Sequence, residues 1–276
     1  MAEPTFALYA LRYGINHGWD ASRSYMPTSN FVPHERDHRL FCYCWVARSA
    51  DRTVLIDAGC DEITAAARGV TFERSPLDSL TLMGIDPADV DDIILTHLHW
   101  DHAGNLSSFP NARIHLHPEE FRFVTGPAMQ HRYLRRPFDT RQLQDVVELL
   151  FEGRVSFTGS EEELAPGLSI HHVGGHTPGT QIVRVATKRG SVVLASDARH
   201  FARNDCGCDA TGVPFPVVIS VDDYCSASAT IDRMAPGPDH IVLGHDPETA
   251  LRYPTLDGDE LITRLDVAPT PQHSGA

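Results

Sequence analysis

The sequence predicts an α/β protein made of two sheet-plus-helix halves packed as a sandwich. Three observations carry the prediction: short strand-like runs in two groups, helical patterns following each group, and metal-competent side chains where several runs end. In chain order, residues 6–12 alternate apolar and polar positions (Phe6, Leu8) as a half-buried strand does, and runs at 40–47 and 53–56 follow. A helical pattern at 77–84 ends at Gly84, a residue suited to a helix end. Strands are expected at 92–95 and 113–116, then a helix at 118–124 whose Pro118 suits a first turn. A longer polar and helical stretch is expected over about 125–166, with a helix at 141–150. The second group of runs falls at 168–172, 181–186, 192–195 and 241–243, with a helix at 222–234. Residues 1–266 are expected to form one domain, followed by a flexible tail at 267–276.

Length and composition bound the function. A chain of 276 residues with 42% hydrophobic and 22% charged residues buries a substantial core. A formal charge of −14 argues against a nucleic-acid partner, which leaves a basic footprint. No segment approaches the roughly 18 consecutive apolar residues of a membrane span, and the first residues lack a signal-peptide pattern. Six cysteines are too few for a disulfide scaffold of this length, so a reduced, cytoplasmic protein is expected. Residues 16–39 show little periodicity, and a segment of that length in a compact protein often walls a binding pocket. Trp19, Tyr25, Met26 and Phe31 give it apolar anchors, which favours an ordered lid over a surface excursion.

The stretch Thr96-His97-Leu98-His99-Trp100-Asp101-His102 is the densest chemical signal. Three imidazoles and a carboxylate are the usual ligands of zinc and similar divalent metals. Alternation puts His97 and His99 on one side, and Asp101 and His102 diverge toward a second point. Three single residues stand at the exits of other strand-like runs, where open α/β architectures place their chemistry: His176 in Gly-Gly-His-Thr-Pro-Gly, Asp197 in Ala-Ser-Asp, and His245 in Gly-His-Asp. Each alone is more often structural. Together the seven are enough for two ions sharing a carboxylate.

This order of motifs, from Leu55-Ile56-Asp57-Ala58-Gly59 to His245, resembles the metallo-β-lactamase fold superfamily. Within it the chain is most similar to the N-acyl-homoserine lactonase-like branch, through THLHWDHAG (96–104), HTPG (176–179), SVVLASDA (191–198) and LGHD (243–246). The resemblance implies an αβ/βα four-layer sandwich, two mixed sheets flanked by helices. It implies that His97, His99 and His176 hold one metal, that Asp101, His102 and His245 hold a second, and that Asp197 bridges them. Asp57 would orient a ligand histidine from beneath; a plain turn aspartate before Gly59 is the alternative. The implied cofactor is two divalent ions, zinc first, with iron, manganese or cobalt as alternatives. The implied reaction is ring opening of an N-acyl-homoserine lactone or another small lactone, a quorum-quenching activity, by a metal-bridging hydroxide. Asp101 would carry the proton to the leaving group. The partner is then a small ester or lactone, with a homodimer left open.

Ligand identities prune the family. His99 replaces the glutamate of flavodiiron proteins, and Asp197 the cysteine or serine of true metallo-β-lactamases. The lactonases carry a tyrosine three residues after the bridging aspartate; here His200 stands there, either donating the same hydrogen bond or lying on a surface loop. Alternatives are a glyoxalase II-like thioesterase, a mononuclear-iron persulfide dioxygenase, and a non-catalytic sensing protein. Substrate-binding residues are not legible. Among weaker signals, Cys206 and Cys208 form a candidate redox pair, and Cys42 and Cys44 read as small core residues. Arg132, Arg135, Arg136 and Arg141 form a cluster that either faces solvent or meets a carboxylate-bearing substrate. His115/His117 and His171/His172 are expected to split between core and surface.

Overall fold

The computed structural model describes residues 4–26, 39–206 and 212–270. Half of the expected lid (27–38, with Phe31), Cys208 and the last six residues of the tail lie outside them. The strands are β1 (Ala7–Asn16), β2 (Leu40–Arg48), β3 (Thr53–Ile56), β4 (Thr71–Phe72), β5 (Asp92–Ile94), β6 (Arg113–Leu116), β7 (Val155–Phe157), β8 (Glu161–Ala165), β9 (Leu168–His172), β10 (Gln181–Thr187), β11 (Gly190–Ser196), β12 (Ile241–Leu243), β13 (Thr255–Leu256) and β14 (Asp259–Arg264). The α-helices are α1 (Ala21–Ser24), α2 (Glu62–Ala67), α3 (Pro76–Leu82), α4 (Pro118–Val124), α5 (Arg132–Arg135), α6 (Thr140–Phe151), α7 (Val221–Met234) and α8 (Glu248–Arg252). No helix among the described residues is long and apolar enough to cross a membrane.

Two mixed sheets form. The first has nine strands in the order β13-β14-β1-β2-β3-β5-β6-β7, with β4 on β1; the second has five, β12-β11-β10-β9-β8. Parallel pairing runs through β3, β5, β6 and β7 and again between β11 and β12. Side-chain alternation sorts the strands into layers. Val54 and Ile56 of β3 meet Leu168, Val183 and Leu194 in the core between the sheets. The intervening Leu55 faces a second core with Leu80 of α3 and Val146 and Leu149 of α6. Val193 of β11 faces Ala227 and Ile231 of α7. Helix, sheet, sheet and helix therefore stack in the expected αβ/βα order.

Two expectations need correction. The stretch over 125–166 is not helical throughout, because β7 and β8 occupy its end. Both are edge strands, and β8 begins Glu161-Glu162-Glu163, so neither carries the apolar alternation that marks a strand. The strands also do not divide into two consecutive groups. The hairpin β13–β14 returns to the first sheet beside β1. Its turn, Asp257-Gly258, has φ of 50° and 82°, the left-handed pair that an Asp-Gly dipeptide favours.

Candidate metal centre

Parallel pairing aligns the ends of β3, β5 and β11, and a buried polar network ties those ends together. Asp57, just past β3, accepts from Thr96 N and Thr96 Oγ1 (both 2.8 Å) and pairs with His102 Nδ1 at 2.7 Å. Thr96 Oγ1 also lies 2.9 Å from Ser196 Oγ at the end of β11. Asp57 and Ser196 hold φ of 57° and 43°, left-handed values uncommon for residues with a side chain. Strain of this kind persists where surrounding bonds over-determine the backbone. Asp57 thus bonds His102 and Thr96, the arrangement of an orienting group.

Above this floor the predicted ligands converge. Donor atoms of His97, His99, His176 and Asp197 lie within 4.8 Å of one another, and so do those of His102, Asp197 and His245. Asp197 divides the histidines between its oxygens. Oδ2 lies 3.7, 3.1 and 2.9 Å from Nε2 of His97, His176 and His200. Oδ1 lies 3.4 and 3.0 Å from Nε2 of His102 and His245. Asp101 contacts the second group, with Oδ1 3.8 Å from His102 Nε2 and Oδ2 3.7 Å from His245 Nε2. All seven side chains are buried.

A divalent cation fits this donor set. His97 Nε2 and His102 Nε2 are buried and have no hydrogen-bond partner among the described residues, a costly state for polar atoms that a cation would relieve. The far ring nitrogens are held: His102 Nδ1 by Asp57, and His245 Nδ1, which donates to Phe41 O at 2.7 Å. Such contacts fix the ring and turn Nε2 toward the centre. Burial, with help from neighbouring imidazoles, pushes His97 and His99 well below the usual histidine range, so both are neutral and ligand-ready. Burial acts the same way on His102, but Asp197, Asp57 and Asp101 outweigh it and raise the ring to about 9.

His200 is buried rather than on a surface loop, stacked on Phe215 with centroids 3.5 Å apart. Its Nδ1 lies 3.3 Å from Tyr224 Oη, and burial pushes the ring down to about 3. A cavity of about 540 Å³ opens beside the centre, lined by His99, Asp101, His200 and His245 and by Trp19, Arg68, Arg136 and Phe215 among others. The described part of the expected lid supplies Asn16, Trp19, Ser22 and Arg23 to this lining.

Several residues escaped the sequence reading. Glu120, fully buried at the start of α4, accepts from Leu98 N at 2.9 Å and Gly179 N at 3.1 Å, joining the two ligand-bearing loops. Cys42 lies not merely in the core but within 4.8 Å of ligand atoms of Asp101 and His245. Gly175, at φ 89°, lets the His176 turn approach α7, since a Cβ there would lie 2.6 Å from Tyr224 backbone. Cys206 has Cys225 as its described neighbour, Sγ to Sγ 2.7 Å. The expected core–surface split of the histidine pairs is also corrected. His115 and His117 are both buried, the first on Asp92 and the second stacked on His172 at 3.6 Å, because each reaches a partner inside the fold. Of the four clustered arginines singled out in the sequence, Arg132, Arg135, Arg136 and Arg141, Arg136 is the one that lines this cavity; Arg141 bonds Thr64 and pairs with Asp139.

The model of the metallo-β-lactamase superfamily matches residues 38–245. An N-acyl homoserine lactonase from a Bacillus species is 28% identical over 179 residues, 59% of this chain and 65% of that protein. The chain therefore spans just under two thirds of the relatives it matches. A crystal structure of a quorum-quenching N-acyl homoserine lactone lactonase superposes with a TM-score of 0.68 at 23% identity, covering 90% of this chain and 95% of that one. The hydrolase AbOPH of the β-lactamase superfamily gives 0.69 at 20% identity, covering 100% and 99%. With the family model spanning every strand end that carries a predicted ligand, the chain belongs to the metallo-β-lactamase superfamily.

Proposed function

We propose that this chain is a metal-dependent hydrolase that opens the ring of a lactone, with two divalent ions, zinc first, in the centre. His97, His99 and His176 would hold one ion, Asp101, His102 and His245 the other, and Asp197 both. The observation that carries this reading is the division of the histidines between the two oxygens of Asp197, beside an open cavity. The similarity to N-acyl homoserine lactonases supports the substrate class.

When bound, the ions supply Lewis acidity and acidify water at neutral pH. The chain's own residues do the rest. Asp101 lines the cavity, and its backbone oxygen is fixed by Tyr13 Oη at 2.7 Å. Its carboxylate is positioned to take a proton at the cavity floor and pass it to the departing ring oxygen. His200, neutral through the physiological range, lines the same wall; with Nδ1 braced by Tyr224 Oη its one N–H is on Nε2, 2.9 Å from Asp197 Oδ2, and would turn to the substrate carbonyl oxygen once the ions take that carboxylate. Phe215, stacked on His200, keeps that wall apolar and excludes water.

The test is Asp101→Asn in zinc-loaded protein. Compared at matched metal content, lactone turnover is expected to fall about 10²–10⁴-fold, the usual worth of a positioned acid–base group. Unchanged turnover would remove the proton role. Turnover of a glutathione thioester but of no lactone would move the reading to a thioesterase.

A further inference from the structure

The walls of the cavity differ in chemistry. One wall is aromatic: Phe215 stacks on His200 and lies parallel to Trp19, with centroids 6.3 Å apart and planes 5° apart. The other carries guanidinium groups. Among the described residues, and apart from the side chains of the metal centre, every charged residue lining the cavity is an arginine: Arg23, Arg68 and Arg136. This happens in a chain whose formal charge is −14.

Arg68 is built into its place. It is only partly exposed, donates through Nη1 to Arg136 O at 2.7 Å and through Nη2 to Phe138 O at 3.0 Å, and lies 5.5 Å from the Trp100 ring centre. Trp100 sits between His99 and Asp101, and its backbone N–H donates to Pro137 O at 2.9 Å. The wall is thus tied to the metal-binding loop. Two of Arg68's five N–H donors are spent on backbone, and neither Arg68 nor Arg136 pairs with a carboxylate among the described residues. Arg136 rests over Tyr133 at 5.2 Å. A loop staple alone explains two of Arg68's bonds. It does not explain a second unpaired guanidinium in the same wall. Arg23, across the mouth, has Asp20 nearby in its own helical turn and contributes less.

We propose that the substrate carries a carboxylate on the arm remote from the hydrolysed carbonyl, held by Arg68 and Arg136, with an apolar spacer along Phe215 and Trp19. Guanidinium groups braced by backbone acceptors and aromatic faces are preorganised for a planar two-oxygen anion. The inference rests on the ring-opening reading above and narrows its substrate.

The test compares N-adipoyl-homoserine lactone with N-hexanoyl-homoserine lactone, which share a six-carbon acyl chain and differ by a terminal carboxylate. Zinc-loaded wild type is expected to favour the adipoyl lactone in kcat/KM by about tenfold or more, and Arg68→Gln and Arg136→Gln each to cut that ratio about tenfold (about 1.4 kcal/mol). Arg136 is exposed, so its variant keeps the test intact should Arg68→Gln misfold. Calorimetric binding of the two ring-opened acids to the same proteins gives a readout independent of turnover. A wild-type ratio near one, or a ratio that neither variant moves, overturns the inference while leaving ring opening intact. No turnover of either lactone, with tighter arginine-dependent binding of the adipoyl acid, overturns ring opening and keeps the anionic subsite.

Discussion

Removing Glu120 should loosen the centre from a distance. Its carboxylate is fully buried and bridges Leu98 N, between His97 and His99, to Gly179 N, three residues beyond His176. These loops belong to different sheets, so Glu120 sets the spacing of one ligand group across the sandwich. Burial pushes its carboxyl above the usual range against the pull of the two N–H groups, so the bonds contribute less net than their gross strength. Truncation is a different matter. Glu120→Ala leaves two buried N–H groups bare, at about 1–3 kcal/mol each, and opens a small cavity, for an expected loss of about 3–5 kcal/mol. Urea unfolding of the metal-free protein reads the stability, and competition with a chromophoric chelator reads zinc affinity. Glu120→Gln, which keeps one acceptor, should lie between wild type and alanine in both. A loss below about 1 kcal/mol with unchanged zinc affinity would refute the bridging account, since a bare buried N–H alone costs that much.

Two further predictions follow from contacts beneath and beside the centre. Asp57→Asn should weaken zinc binding about 10–100-fold, the usual effect of losing a ligand histidine's carboxylate partner; chelator competition at matched stability checks it, and unchanged affinity would leave Asp57 as a turn residue. His117, pushed down to about 4 by burial and by the stacked His172, binds its proton near pH 6.5 when unfolded but only near 4 when folded. Stability should therefore fall as pH drops from about 6.5 to 4, by roughly 1–2 kcal/mol after screening, with Glu119 partly offsetting it and Arg122 adding to it. His117→Gln should flatten that part of the urea-midpoint profile; a profile identical to wild type would remove His117 as its source.

Much of the site was legible because its residues are chemically loud and locally placed. His97 to His102 lie in one loop, and His176, Asp197 and His245 each follow an apolar run, so a strand-end rule finds them. The strand-like runs at 53–56 and 168–172 likewise marked strands whose bounds the structure reproduces. What was missed depends on tertiary approach. Glu120 looks like any acidic residue in a first helical turn; only the fold brings Leu98 N and Gly179 N to it. Cys42 reads as a core thiol until β2 is laid beside the His245 loop, and Arg68 as a helix-end cation until residues 136–138 wrap over it. β8 was missed because three glutamates hide an edge strand; the hairpin β13–β14 was missed as well, although Asp257-Gly258 is a hairpin-turn signal.

Under the proposed function, two metal ions held by a ligand set that includes Asp197 would support a ring-opening hydrolysis. The direct measurement titrates zinc into metal-free protein, following bound metal by elemental analysis and lactone turnover in the same samples. The account predicts that turnover is absent without metal and reaches its plateau only at two equivalents per chain. A plateau at one equivalent, or ring opening by metal-free protein at the loaded rate, would contradict it.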